Sequence, residues 1–218
     1  MMRFFILAVL AAALLRPAAA QEAIPGHSHG DRAGAAGIAQ QEAEQAWCHH
    51  SHAEAVVWFR KGAEQGDHDA QRNLGRMYEK GFGVPENHAE AIIWFRRAAD
   101  QGDREAQYDL GWMYQEGRGA PKDYAEAVAW YRRAAEQGSA RAQNSLGWMY
   151  QAGWGVPRNY AEAARWYGKS AAQGNADAQV HLAALYEHGL GVPKDPAMAL
   201  YWQTKATHKE KGTLWPWR

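Results

Sequence analysis

The 218-residue chain carries 24 basic and 24 acidic side chains, so its formal charge is zero with the histidines neutral. So balanced a chain offers no electrostatic footprint for nucleic acid. Cys48 is the one cysteine, which excludes an intramolecular disulfide and leaves packing as the source of stability.

Residues 1–20 differ in composition from everything after them. Arg3 supplies a positive start, Phe4–Leu15 is an unbroken apolar run, and Ala18-Ala19-Ala20 offers small residues for cleavage. This is the pattern of a secretory signal peptide, too short for a comfortable membrane span. Cleavage after Ala20 removes Arg3 and Arg16 and no acid, leaving 22 basic against 24 acidic residues and a net charge of −2. The expected location is periplasmic or secreted, with no stable membrane span. Residues 21–37, with Pro25 and several glycines, read as a disordered linker. Residues 38–52 read as an N-terminal capping segment, with a short helix over Ile38–Trp47, because the first unit of a stacked array has no neighbour on one side.

From Ala53 the chain repeats itself. Ala125–Tyr160 lies on Ala89–Tyr124 when shifted by 36 residues, and the same shift reaches Ala53–His88 and Ala161–Pro196. A truncated fifth copy starts at Ala197. The divisions are therefore repeat 1 over 53–88, repeat 2 over 89–124, repeat 3 over 125–160, repeat 4 over 161–196, and a C-terminal capping helix and tail over 197–218. A fixed period of this size marks a stacked repeat array.

Each copy encodes two helices. Capping boxes announce the first: Ser51/Glu54, Asn87/Glu90, Asp123/Glu126 and Asn159/Glu162. In the fifth copy Asp195 is followed by Pro196, a good first helical residue. Along this helix Ala127, Trp130, Tyr131 and Ala134 share one face. Gly66, Gly102, Gly138 and Gly174 end it, and Asp67, Asp103, Ser139 and Asn175 are natural N-caps for the second helix. There Ala142, Leu146 and Tyr150 recur as Ala106, Leu110, Tyr114 and as Ala178, Leu182, Tyr186. A mid-helix glycine at 75, 111 and 147 costs about 1 kcal/mol against alanine. Its recurrence predicts a close approach of two helix backbones at that point. The turn closing each unit ends in Pro85, Pro121, Pro157 and Pro193, which stops the helix.

The pattern A-x-A-x-x-W-[FY]…A-x-x-x-L-G-x-x-Y-x-x-G-x-G-V-P-x-[DN] resembles the Sel-one-like repeat (SLR) family, relatives of the tetratricopeptide repeats, over about 53–208. The resemblance implies an all-α, right-handed α-solenoid whose first helices line a concave face that binds other proteins. One exported subgroup of that family carries a disulfide in every repeat; this chain, with one cysteine, departs from it, and that subgroup's ligand is not carried over.

Three sets of residues are candidates for binding. The first is a histidine segment, His27 to His52, in which Cys48, His49, His50 and His52 are ligand types suited to zinc or copper; the bland reading is a solvated entry segment. The second is an aromatic row. Arg76, Trp112 and Trp148 occupy equivalent positions on successive second helices, and Trp154 stands at a turn tip with Phe82, Arg118 and Leu190. Trp and Arg dominate binding hot spots, although rings in these rows can equally fill seams between repeats. Trp58, Trp94, Trp130, Trp166 and Trp202 belong to the repeat pattern and are assigned to the core. The third is a basic row on the first helices, Arg60/Lys61, Arg96/Arg97, Arg132/Arg133 and Lys169. Arg97 and Arg133 would face the groove if first helices line it; otherwise the row is a solvated face paired with Glu64, Asp100 and Glu136.

No catalytic constellation and no cofactor motif is present in the sequence. The reading is an exported, non-enzymatic scaffold that binds a peptide or partner protein on the concave face of the array. The alternatives are a cell-wall-associated enzyme or peptidoglycan-fragment binder, and a metal-handling protein using the histidine segment. The tail Trp215-Pro216-Trp217 reads either as folded back over the last open face, which spares two tryptophans exposure to water, or as a free sticky end.

Overall fold

A computed structural model describes residues 52–211. The expected signal peptide, the linker and all of the N-terminal capping segment but His52 lie outside the described residues, as do Cys48, His49, His50 and the tail from Gly212. Among the described residues the chain forms helices and no strand. The helices are α1 (His52–Glu64), α2 (His68–Lys80), α3 (His88–Asp100), α4 (Arg104–Glu116), α5 (Tyr124–Glu136), α6 (Ala140–Ala152), α7 (Tyr160–Ala172), α8 (Ala176–His188) and α9 (Pro196–Lys211). Each packs chiefly on the helix before it and the helix after it, as a solenoid requires. No described helix is long and apolar enough to cross a membrane.

The caps set the helix lengths. Asp67, Asp103, Ser139 and Asn175 accept from the backbone N–H three residues on, at the starts of α2, α4, α6 and α8. Asn87, Asp123 and Asn159 do the same for α3, α5 and α7. The capping boxes expected there are only half formed. The N–H of Asn87, Asp123 and Asn159 donates to the carbonyl of Tyr78, Tyr114 and Tyr150 at 2.8 Å, 3.0 Å and 2.8 Å, so no donor is left for the Glu to satisfy. Glu162 bonds Arg165 instead, at 2.9 Å.

The interior repeats as the sequence does. Ala91, Phe95, Leu110 and Met113 of repeat 2 are fully buried, as are Ala127, Leu146 and Met149 of repeat 3, with Tyr131 nearly so. The recurring tryptophans belong to seams: Trp94 packs into the cluster of Ala55, Phe59 and Leu74, and Trp130 into that of Ala91, Phe95 and Leu110. Trp94, Trp130 and Trp166 are buried while Trp58, at the first described repeat, is only half-buried.

The recurrent glycine has a different partner from the one expected. A Cβ on Gly75, Gly111 or Gly147 would lie 2.8 Å, 2.7 Å and 2.7 Å from the ring of Phe95, Tyr131 and Tyr167, respectively. The close approach is thus chiefly an aromatic ring of the next repeat, joined at Gly111 by the Ala127 carbonyl 3.2 Å away. The fourth copy has Ala183 at this position, and the residue facing it in register, Gln203, is exposed and carries no ring. The turn glycines do two jobs. Gly155 has φ +70°, and a Cβ there would strike the Tyr124 carbonyl at 2.2 Å.

A buried glutamine ladder runs through the first three joints. Gln71, Gln107, Gln143 and Gln179 donate to the carbonyls of Ala63, Ala99, Ala135 and Ala171 at 3.0–3.1 Å. Gln101, Gln137 and Gln173 then donate across the joint to Oε1 of Gln71, Gln107 and Gln143 at 2.7–2.8 Å. The amides of Gln71, Gln107 and Gln143 are thereby satisfied on both sides, which is what lets a polar group sit in a core; Gln179, at the last joint, has no donor for its Oε1 among the described residues. The sequence carried the signal, in its recurring Ala-Gln and Gln-Gly pairs.

Candidate functional site

The face of the second helices turned away from the core carries the groove. Arg72, Arg76, Glu79 and Lys80 come from α2, Glu105, Tyr108, Asp109 and Trp112 from α4, and Arg141 from α6, with Phe82 at one edge. Their three- and four-residue spacing puts each set on one side of its helix. The groove is open and encloses about 700 Å³.

Ion pairs across the joints form its floor. Arg76 donates through Nε and Nη2 to Asp109 Oδ2 at 3.1 and 2.9 Å. Arg72 bonds Asp103 at 2.5 Å and Asp69 at 2.7 Å. Arg141 pairs with Glu105 and lies 4.4 Å from the Tyr108 ring centroid. Burial pushes the Asp109 carboxyl above the usual carboxylate range, against the pull of Arg76. It pushes the Tyr108 phenol up as well, with Arg141 opposing. These are positioned, partly desolvated charges, the kind that discriminate between partners.

His68, Asp69 and Asp103 bring one ligand atom each within 4.8 Å of one another. The Arg72 guanidinium already bridges the two carboxylates, and Asp103 Oδ1 caps α4 through Ala106 N–H at 2.8 Å. The cluster is a clamp between repeats 1 and 2.

The structure separates the residues expected to bind. Arg76 and Trp112 line the groove. Trp112 is flanked by Lys80 at 5.9 Å and Arg118 at 4.8 Å. Trp148 and Trp154 pack edge to face at 4.4 Å, and Tyr124 stacks on Trp154 at 4.7 Å. Arg97 and Arg133 are outside the groove lining, on α3 and α5, each 4.4 Å from the ring of Trp94 or Trp130 one turn back. Lys61 and Lys169 cover Trp58 and Trp166 likewise. Their companions Arg60, Arg96 and Arg132 bond the hydroxyls of Tyr78, Tyr114 and Tyr150 in the same repeat. The basic row thus roofs the seam aromatics, and the expected pairing with Glu64, Asp100 and Glu136 does not occur among the described residues. His52 stacks on Phe82 at 5.2 Å. His181 stacks on Tyr167 at 4.9 Å, and burial lowers its pKa while Asp177 opposes that.

Arg72, Tyr108, Asp109, Glu105 and Arg141 were not singled out from the sequence. One signal was available. At position 72 and its equivalents the copies read Arg, Tyr108, Asn144 and Val180, and one residue on they read Asn73, Asp109, Ser145 and His181. Disagreement between copies, beside positions that never change, marks the face that packing does not dictate.

A stack of paired helices with a lined, variable groove defines a helical-repeat protein. The Sel1 repeat profile matches residues 50–67, 68–103, 104–139, 140–175 and 176–209, and the chain belongs to the Sel1 repeat family. Proteins of this kind are generally protein–protein interaction scaffolds and not enzymes. Among solved structures, c5321, a protective antigen of uropathogenic Escherichia coli displaying an SLR fold, is 38% identical with a TM-score of 0.78. That match covers 83% of this chain and 39% of the antigen, so the chain spans about two-fifths of that relative. A Sel1 repeat protein from Oxalobacter formigenes is 37% identical over 82% of this chain and 73% of its own, with a TM-score of 0.74. A Klebsiella pneumoniae Sel1 repeat protein, 20% identical over 85% of this chain and 92% of its own at a TM-score of 0.53, shares the fold. No curated protein matches the chain.

The family's units begin at 68, 104, 140 and 176, half a repeat later than units read from the caps. The family's first helix is therefore α2, α4, α6 or α8 here. On that division Arg97 and Arg133 lie on the second helix of the family's unit, outside the lining of this groove.

Proposed function

We propose that the protein is an exported scaffold that holds a peptide or partner domain in the groove formed by α2, α4 and α6. The observation that carries this reading is the contrast between interior and groove. Central packing positions keep one residue type from copy to copy, as at Ala70, Ala106, Ala142 and Ala178 or Leu74, Leu110, Leu146 and Leu182, whereas the groove positions vary, as at Arg72, Tyr108, Asn144 and Val180. A surface under no demand but solubility would not collect Trp112, Tyr108 and a half-buried Arg76–Asp109 pair at one place. Export rests on residues 1–20, whose sequence is that of a signal peptide.

Site-specific photo-crosslinking in the native compartment tests it. A crosslinker at Tyr108 is expected to trap a discrete partner, and one at Ile93, exposed on α3 outside the groove lining, is expected to trap none. Equal labelling from both sites, or protein found only in the cytoplasm, overturns the reading.

A further inference from the structure

The cations of the groove are spoken for by carboxylates, but those of the neighbouring turn edge are not. Lys122, Arg158 and Lys194 stand one period apart, each directly after the proline of its turn. Each holds the same place: its Cβ lies 3.1–3.2 Å from where a Cβ on Gly117, Gly153 or Gly189 would be. Arg118 joins them at the groove's border over Trp112, 4.8 Å from the ring centroid. All four are exposed, and among the described residues none forms an ion pair. Two rest over tyrosines instead, Lys122 over Tyr124 at 5.6 Å and Arg158 over Tyr160 at 5.7 Å. The acids beside them in sequence are occupied: Asp123 and Asp195 cap α5 and α9, and Glu116 accepts from Gln115. Between the cations Trp154 and Leu190 are 39% and 37% exposed. In repeat 1 the matching residue is Glu86, which pairs with His88 at 3.1 Å, so the strip begins at repeat 2.

We infer that this turn edge is a second docking surface, and that its occupant is an acidic protein segment with apolar residues among its carboxylates. Charge selects the sign of the partner: a row of unpaired cations at fixed spacing attracts a chain of carboxylates and repels a basic one. The apolar pair selects its kind. Leu190 is aliphatic, and the Trp154 ring is already engaged by Tyr124, stacked at 4.7 Å, and by Trp148, at right angles at 4.4 Å, so the patch suits apolar side chains of a protein segment. The strip meets the groove at Arg118 and Trp112, so one partner can run from the edge into the groove. The inference stands on the edge residues alone and does not require the groove to be occupied.

The test uses the full chain and a labelled synthetic peptide of alternating glutamate and leucine, with a lysine–leucine peptide and polygalacturonate as companions. The acidic peptide is expected to bind, with affinity falling as salt rises. The triple variant Lys122→Glu/Arg158→Glu/Lys194→Glu is expected to bind it about tenfold more weakly or worse. These side chains lie outside the core, so the helical dichroism and urea midpoint should match those of the unchanged protein. The groove variant Arg76→Ala/Tyr108→Ala should retain peptide binding at the edge, which separates failure here from failure of the groove reading. Equal binding by the triple variant, equal binding of the lysine peptide, or binding of polygalacturonate alone would overturn the inference.

Discussion

At the joint between repeats 1 and 2, Gly75 receives the ring of Phe95 and Gln101 bonds Gln71. At the joint between repeats 3 and 4, Gly147 receives Tyr167 and Gln173 bonds Gln143. The interiors are interchangeable, but the faces over them are not. The first joint is crossed by Arg72–Asp103, Arg76–Asp109 and His68–Asp103. The second is crossed by no ion pair among the described residues; Ser170 Oγ donates to the Ala140 carbonyl at 2.7 Å instead. One molecule thus uses a fixed means of stacking under a variable means of facing outward. Stability belongs to the first and partner choice to the second, so the two respond to different perturbations.

The largest effect is expected where the joints agree. Tyr131→Ala empties the socket over Gly111 and removes the hydroxyl bonded to Gln115 at 3.0 Å. A loss of about 3–5 kcal/mol is expected, read as a drop in the urea midpoint. Phe95→Ala and Tyr167→Ala should fall in the same range, because the sockets are alike. If the three differ by as much as the faces above them do, interior and face are not separable.

A smaller effect distinguishes the ring-facing joints from the last one. Gly147→Ala drives a methyl into the Tyr167 ring at under 3 Å, so overpacking of about 1–3 kcal/mol is expected, less whatever helix propensity returns. Ala183→Gly, at a buried position whose register partner Gln203 carries no ring, should cost the propensity difference of about 1 kcal/mol plus about 1 kcal/mol for the buried methyl removed. Calorimetry of the two variants checks both figures. A stabilised Gly147→Ala would mean that the ring has room to move.

The stacking was legible because it is periodic. Repeating Ala, Leu, Gly and Trp at 36-residue intervals states the same packing four times, and the N-caps announce where each helix starts. Misreadings fell where a residue type has two uses. Glu90 and Glu126 fit a capping box by spacing, but the donor they would satisfy is taken by a tyrosine carbonyl. Arg97 and Arg133 fit a groove wall by charge, but they cover the rings of Trp94 and Trp130, outside the groove lining. Arg76 and Trp112 were legible because both types are prominent in binding. Asp109 and Tyr108 were not, since their importance lies in burial against helices from other repeats, which no local spacing encodes.

The finest test acts on the feature the joints do not share. Asp109 is held protonated to higher pH in the folded chain than when unfolded, chiefly because burial disfavours its charge, with Arg76 pulling the other way. Arg141 pulls with Arg76, and Glu79 adds to the burial. A carboxyl whose folded pKa lies above its unfolded one binds protons more tightly in the folded state. Its contribution to stability is full below the unfolded pKa and is lost as pH rises through the folded pKa. Asp109→Asn removes that titration while keeping an acceptor for Arg76. The unchanged protein should therefore lose ground against the variant as pH rises from about 3 to about 7. Urea midpoints of the pair across that range measure it, and Ser145→Asn, at the equivalent position of the third copy, should give a pH-independent difference. A growing advantage for aspartate with rising pH would mean that Arg76 outweighs burial, and that the groove floor is a stabilising ion pair after all.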